Sequence, residues 1–395
     1  MQADLVALGV DEVGKEAEAT ADLAKILLLD SGKLQEEEAE FARKKGYSRH
    51  EDPQPLYTME DAESVFPLLV PQPFEIPFSI HPAVIVTFFH AGHILGASIV
   101  KFIIKGEHQT KRLVFSGDLG RYKDPILYPP TRIPKADILW IESTYGDRKS
   151  PSQKPEEDLA RAILDTFDRG GLVIIPAFAV GRTQLLMYHL YQLMEKGKIP
   201  KVPIFVDSPM AIDATRLYLD YHADHRLSAM LQEENHPFKH PQLRYFQKQE
   251  QSMSLNEYRG NAIIVSASGM ATGGRVLHHF YHHLPQEKNG VIIVGYQAEG
   301  TRGRRLLEGE PTIRIYGHDI PVKAKVYAVE GLSAHADQEE LMDWAEGFCD
   351  KPKLTFVVHG EKKSAETLAF KLKDELGWNT VIPQYLESFI LFEGI

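Results

Sequence analysis

From residue 155 to about 230 the sequence switches repeatedly between two hydrophobic periods, and this limits the fold more than any other feature. "PEEDLARAILDTFDRGG" spaces its apolar residues three and four apart, as a helix does. "LVIIPAF" is a continuous apolar run, too short for a helix and rich in β-branched residues. "VGRTQLLMYHLYQLMEKG" is helical again, "VPIFVDSP" reads as a strand, and "AIDATRLYLDYHADHRLSAMLQ" as a further helix. Strands apolar on both faces, separated by helices, imply a parallel sheet covered on both sides. "NAIIVSASG", "GVIIVGYQAEG", "KVYAVEGLSAH" and "KLTFVVHGE" continue the strand series.

The first third reads differently. A helix is expected from Thr20, placed as its N-cap, to Gly46. "AVIVTFF", "SIVKFII", "RLVFSGD" and "DILWIESTYG" then form successive strands with short turns. The chain is therefore α/β. At 395 residues and 43% hydrophobic it can bury a large core without disulfides, and its single Cys349 can form none within the chain. That points to a reducing, cytoplasmic setting. Neither the acidic N-terminus nor apolar stretches far shorter than roughly 18 residues suggest export or a membrane span. A net charge of −11 argues against a general electrostatic grip on nucleic acid but leaves room for a local cationic cleft.

Strand ends are where α/β proteins place chemistry, and five of them carry imidazole or carboxylate. These are His93 in "HAGHILG", Asp118 in "FSGDLGR", Glu142 in "ESTYGDR", His335 in "LSAHAD" and His359 in "VVHGE". Any one alone is better read as a hydrogen-bonded loop residue or a turn residue. Five together, each beside a small residue that lets backbone approach closely, favour a metal site of the kind zinc takes up.

The ordered set "HAGHILGAS", "FSGDLGR", "IESTYGDR", "PAFAVGRTQ", "DSPMAIDAT", "ASGMATGGR", "GYQAEGTRGR", "LSAHADQEEL" and "VVHGE" resembles the β-CASP branch of the metallo-β-lactamase superfamily. That branch includes RNA-processing nucleases related to the cleavage-and-polyadenylation endonuclease and to RNase J. The resemblance implies a metallo-β-lactamase αββα sandwich, incomplete at its N-terminus, with an inserted parallel-sheet β-CASP domain. The expected divisions are 1–147 for the first part of the metallo-β-lactamase domain, 148–320 for the β-CASP cap, and 321–395 for the C-terminal part, an RNA-specificity segment. It implies two zinc ions, with His93 and His359 as ligands and Asp118 as the bridging carboxylate. Glu142 is expected to orient His335, which protonates the leaving oxygen, a role suited to an imidazole titrating near neutrality. The substrate implied is single-stranded RNA.

One family signature, an early His-x-His-x-Asp-His, does not occur in its expected place upstream of the first helix. The reading is therefore of a zinc-dependent RNA phosphodiesterase, weakly active or inactive as given, from a shortened gene model, an internal start or a deletion. Missing early strands predict an unpaired sheet edge and self-association. "DYHADHR" carries His222, Asp224 and His225 in a similar order, but its helical setting makes these a solvated face. "HHFYHHL" pairs His278 with His282 and His279 with His283, read as a polar helix edge lining the cleft. Within the cap, Ser266, Ser268, Gly273, Gly274 and Arg275 are candidate phosphate contacts, and Arg302 a further one. The alternative is a non-catalytic β-CASP member binding RNA or protein. A small-molecule hydrolase fits poorly, since simple lactamases and thioesterases lack the long cap and the Glu142/His335 pair.

Overall fold

The computed structural model describes residues 18–45, 50–149 and 154–392. In chain order they form α1 (Glu18–Lys45), α2 (Met59–Val65), β1 (Phe78–His81), β2 (Val84–His90), β3 (Ser98–Lys105), β4 (Thr110–Phe115) and β5 (Ile138–Glu142). Then come α3 (Pro155–Asp168), β6 (Val173–Pro176), α4 (Arg182–Glu195), β7 (Ile204–Val206), α5 (Pro209–Asp220), β8 (Leu243–Tyr245), α6 (Gln249–Ser254), β9 (Ile263–Ser266) and α7 (Val276–His283). The series ends with β10 (Gly290–Val294), α8 (Arg302–Leu307), β11 (Thr312–Ile315), β12 (His318–Pro321), β13 (Lys325–Val329), α9 (Gln338–Glu346), β14 (Leu354–Val358), α10 (Lys362–Leu376) and β15 (Thr380–Val381).

Two compact units share these elements. The first takes residues 1–119, 130–143 and 342–395. Its sheet runs β1-β2-β3-β4-β5-β14-β15, antiparallel through β4 and parallel from β4 to β15. Phe115, Trp140 and Phe356 stack along one face, with ring centroids 4.1 and 5.0 Å apart. Thr20 does not cap α1. It lies two residues inside that helix, and its hydroxyl donates to the Gly96 carbonyl at 2.9 Å, a tertiary contact that spacing could not reveal.

The second unit takes residues 120–129 and 144–341. Its sheet, in the order β13-β10-β6-β9-β7-β8, is wholly parallel. Every residue of β6, β7, β9 and β10 is buried, as an apolar run covered on both faces requires. The expected boundary near residue 320 falls inside this unit, because β13 pairs in parallel with β10. The α/β class and the parallel inserted sheet are those the alternating hydrophobic periods predict.

Two histidine clusters differ from expectation. His222 is exposed in a single 3-10 turn, but His225 is fully buried between the Tyr218 carbonyl, 2.7 Å from Nε2, and the Leu227 N–H, which Nδ1 accepts. On α7, His279 and His283 are buried too. His279 Nε2 lies 2.7 Å from Asp207, and His283 Nε2 3.0 Å from the Leu255 carbonyl. Asp207 also accepts from Arg275 and Ser252. Burial pushes the Asp207 carboxyl up, but hydrogen bonds from His279 and Ser252 outweigh it and hold it below its ordinary range.

Candidate metal centre

Three adjacent parallel strands of the first unit deliver side chains at their carboxyl ends. Asp118 follows β4, Glu142 ends β5 and His359 follows β14. His93 joins them from the turn between β2 and β3. The two oxygens of Asp118 face different imidazoles: Oδ1 lies 3.1 Å from His359 Nδ1, and Oδ2 lies 3.9 Å from His93 Nε2. Ligands about 2.05 Å from a tetrahedral zinc stand about 3.3 Å from one another. The 3.1 Å separation is close to that spacing, the 3.9 Å one is wider, and the donors are the imidazole and carboxylate types zinc binds. The residues fit the metal.

Local contacts fix this geometry. The Glu142 side chain is 1% exposed, and its Oε1 accepts the Leu119 N–H at 2.7 Å, pinning the turn that presents Asp118. The Ser116 hydroxyl donates to the Gly117 carbonyl and accepts the Glu142 N–H at 3.0 Å, tying the ends of β4 and β5 together. His359 adopts a left-handed backbone, φ 51°, uncommon for a residue with a Cβ. Its neighbour Gly360 passes so near Ser143 that a Cβ would lie 2.4 Å from the hydroxyl oxygen and 2.6 Å from the carbonyl oxygen. Only glycine allows that approach without moving the histidine.

His335 belongs to the second unit, where Gly120 forms an antiparallel bridge to it and its amide donates to the Ser333 hydroxyl at 3.3 Å. Its ring lies edge-on to Tyr145 at 6.2 Å.

Most of the phosphate candidates of the second unit have internal bonds. The buried Ser266 hydroxyl donates to the Asp207 carbonyl. Arg275 donates to Asp207 and to the carbonyls of Phe246 and Gln247. Arg302 donates to the carbonyls of Arg314, Ala271 and Thr272. Ser268 Oγ accepts the Thr272 and Gly273 N–H groups, and Gly274 takes a left-handed φ of 78°. Sequence reasoning passed over Arg182, which is 7% exposed at the start of α4, and Phe178, which is 42% exposed just before it.

Residues 183–306 match the Beta-Casp domain, and residues 319–383 match the Zn-dependent metallo-hydrolase RNA specificity domain. A ribonuclease of Thermus thermophilus is 36% identical over 317 residues, covering 78% of this chain and 70% of that relative. This chain belongs to the β-CASP metallo-β-lactamase family. An RNase J-like protein of Methanocaldococcus jannaschii is 35% identical over 302 residues, 75% of this chain and 68% of the relative. The transcription termination factor FttA of Thermococcus kodakarensis is 33% identical over 352 residues, and the match spans 86% of this β-CASP chain but about half, 53%, of the factor. Among the described residues, no helix of the β-CASP chain is long and apolar enough to cross a membrane.

Proposed function

We propose that this chain is a metal-dependent phosphodiesterase acting on single-stranded RNA in the cytoplasm, with two zinc ions as its cofactor. The observation carrying this reading is the Asp118 carboxylate turned between the His93 and His359 imidazoles. Relatives named as ribonuclease and RNase J-like support the substrate class. His93 and His359 would hold the metal, with Asp118 bridging. Bound there, zinc supplies a Lewis acid that polarises the scissile phosphate and activates water near neutrality.

The remaining steps belong to protein side chains. Glu142 holds the Asp118 turn through the Leu119 amide and, in this reading, orients His335. His335 gives a proton to the departing oxygen and recovers it from solvent. Ser268, Gly273 and Gly274 are proposed to meet a backbone phosphate, while Ser266, Arg275 and Arg302 shape the loop that presents them. Among the described residues, three ligands shared between two ions are few, since zinc normally takes at least three protein ligands each. The chain as given should therefore hold zinc weakly and turn over slowly. A second reading, RNA binding without cleavage, follows from the same ligand count.

The test is zinc content by mass spectrometry together with cleavage of an end-labelled single-stranded RNA. Metal-dependent cleavage that Asp118→Ala abolishes supports the enzyme reading. RNA binding with no cleavage in saturating zinc moves the conclusion to the second reading, and neither binding nor cleavage ends both.

A further inference from the structure

The second unit holds a buried guanidinium, two of whose nitrogens have no acceptor among the described residues. Arg182 is 7% exposed, and neither its Nε nor its Nη1 has a hydrogen-bond partner. It is the first residue of α4, whose N-cap, Gly181, has no side chain to offer, and the Arg182 and Thr183 amides donate instead to the Val180 and Phe178 carbonyls. Burial lowers its pKa only to about 10, so it remains a cation at neutral pH. Counter-charge from Asp124 does not explain it. That carboxylate spends Oδ1 on the Ile126 and Leu127 amides, it also faces Arg226, and burial pushes its own pKa upward. Arg182 and Arg226 thus share that carboxylate, and Tyr145 is the other group acting on Arg182.

Three loops are linked here, and the one after β10 lies against the guanidinium. The Thr183 amide and hydroxyl both donate to the Phe178 carbonyl, tying Phe178 to the first turn of α4. Gly269, after β9, lies under the Phe178 ring, where a Cβ would come within 2.8 Å of it. Gly295, after β10, lies against Arg182, its missing Cβ 2.5 Å from Nη1. Gln297 joins the last two loops by donating to the Gly269 and Tyr296 carbonyls. These loops leave the carboxyl ends of adjacent strands β10, β6 and β9. The chain departs from β6 toward β7 on one side and from β9 toward β10 on the other. Such a reversal is where open parallel sheets take ligands.

We propose that these loops form a nucleotide subsite for single-stranded RNA, in which Arg182 takes one backbone phosphate and the open face of Phe178 stacks on a base. The subsite rests on the RNA reading above and names where in the second unit the strand is gripped. An exposed ring held against a glycine, four residues before a guanidinium with two unpartnered nitrogens among the described residues, offers partners for both the base and the phosphate of a nucleotide.

The test is fluorescence anisotropy of a labelled single-stranded oligoribonucleotide in EDTA, so that cleavage does not enter. Phe178→Leu, which keeps apolar packing on Gly269, should weaken binding roughly 5- to 150-fold. Arg182→Gln should weaken it and reduce the slope of log affinity against log salt by about 0.7, one phosphate contact on a single strand. Inorganic phosphate serves as the second probe. If Arg182→Gln loses phosphate binding but keeps RNA affinity, the site is for free phosphate and the subsite is overturned. If both variants bind RNA like wild type, the subsite is overturned while the RNA reading stands. If wild type binds no RNA, both fall. Should Arg182→Gln fail to fold, Phe178→Leu decides alone.

Discussion

Acid should weaken the second unit through His283. The side chain is 1% exposed among Leu255, Leu284 and the rest of the sheet's core, with Nε2–H donated to the Leu255 carbonyl. Burial, followed by the nearby charge of His279 and then His282 and Arg259, pushes its pKa from 6.5 down to about 4, while the Leu255 carbonyl works the other way. The folded state therefore resists protonation and the unfolded state does not. Its contribution is complete above pH 6.5 and drains away as pH falls toward 4, where the folded form also takes up the proton. Between pH 8 and pH 5 the loss from this one residue is about 2 kcal/mol. His283→Gln keeps a donor for Leu255 and removes the titration. Urea unfolding followed by circular dichroism should show wild type losing about 2 kcal/mol more than His283→Gln across that interval. All three tryptophans, Trp140, Trp344 and Trp378, lie in the first unit, so their fluorescence serves as an internal control. Equal losses in the two proteins would refute the assignment of a buried neutral imidazole.

Asp207→Asn should cost about 3–5 kcal/mol in thermal or urea unfolding, because Arg275 and His279 would lose a buried anion. A cost below 1 kcal/mol would show that the network is not ionic. Ser208→Ala removes the hydroxyl that accepts the Ala211 amide at the start of α5 and should cost about 1 kcal/mol by the same measurement. Gly360→Ala should lower zinc affinity about 10- to 100-fold in a chelator competition, since the added methyl pushes His359 off the Ser143 backbone. Unchanged affinity would remove His359 from the ligand set.

The approach of Asp118 and His359 was legible because each follows a strand, and parallel strands align their ends by register, while His93 comes from the turn of an antiparallel pair. Once β4, β5 and β14 pair as neighbours, Asp118, Glu142 and His359 must emerge on one edge. What the pattern could not supply was the backbone detail. The left-handed φ of His359 and the Gly360 contact with Ser143 arise from pairing partners some 215 residues apart.

The buried histidines of α7 were misjudged for a different reason, and the signal was present. Val276, His279, Phe280 and His283 stand at i, i+3, i+4 and i+7, the series of a buried stripe. Reading imidazole as polar broke that stripe, when two of its members carry their own partners inward: Asp207 for one, the Leu255 carbonyl for the other. A polar residue on an apolar face calls for a search for its partner before it is assigned to solvent. Arg182 is the converse case. It too sits on a buried face, beside Leu185 and Leu186, yet no protein acceptor meets its Nε or Nη1. The rule that gives His279 a structural role therefore directs attention outward from Arg182, because burying a guanidinium is costly unless something pairs with it. The proposed phosphate contact answers that cost.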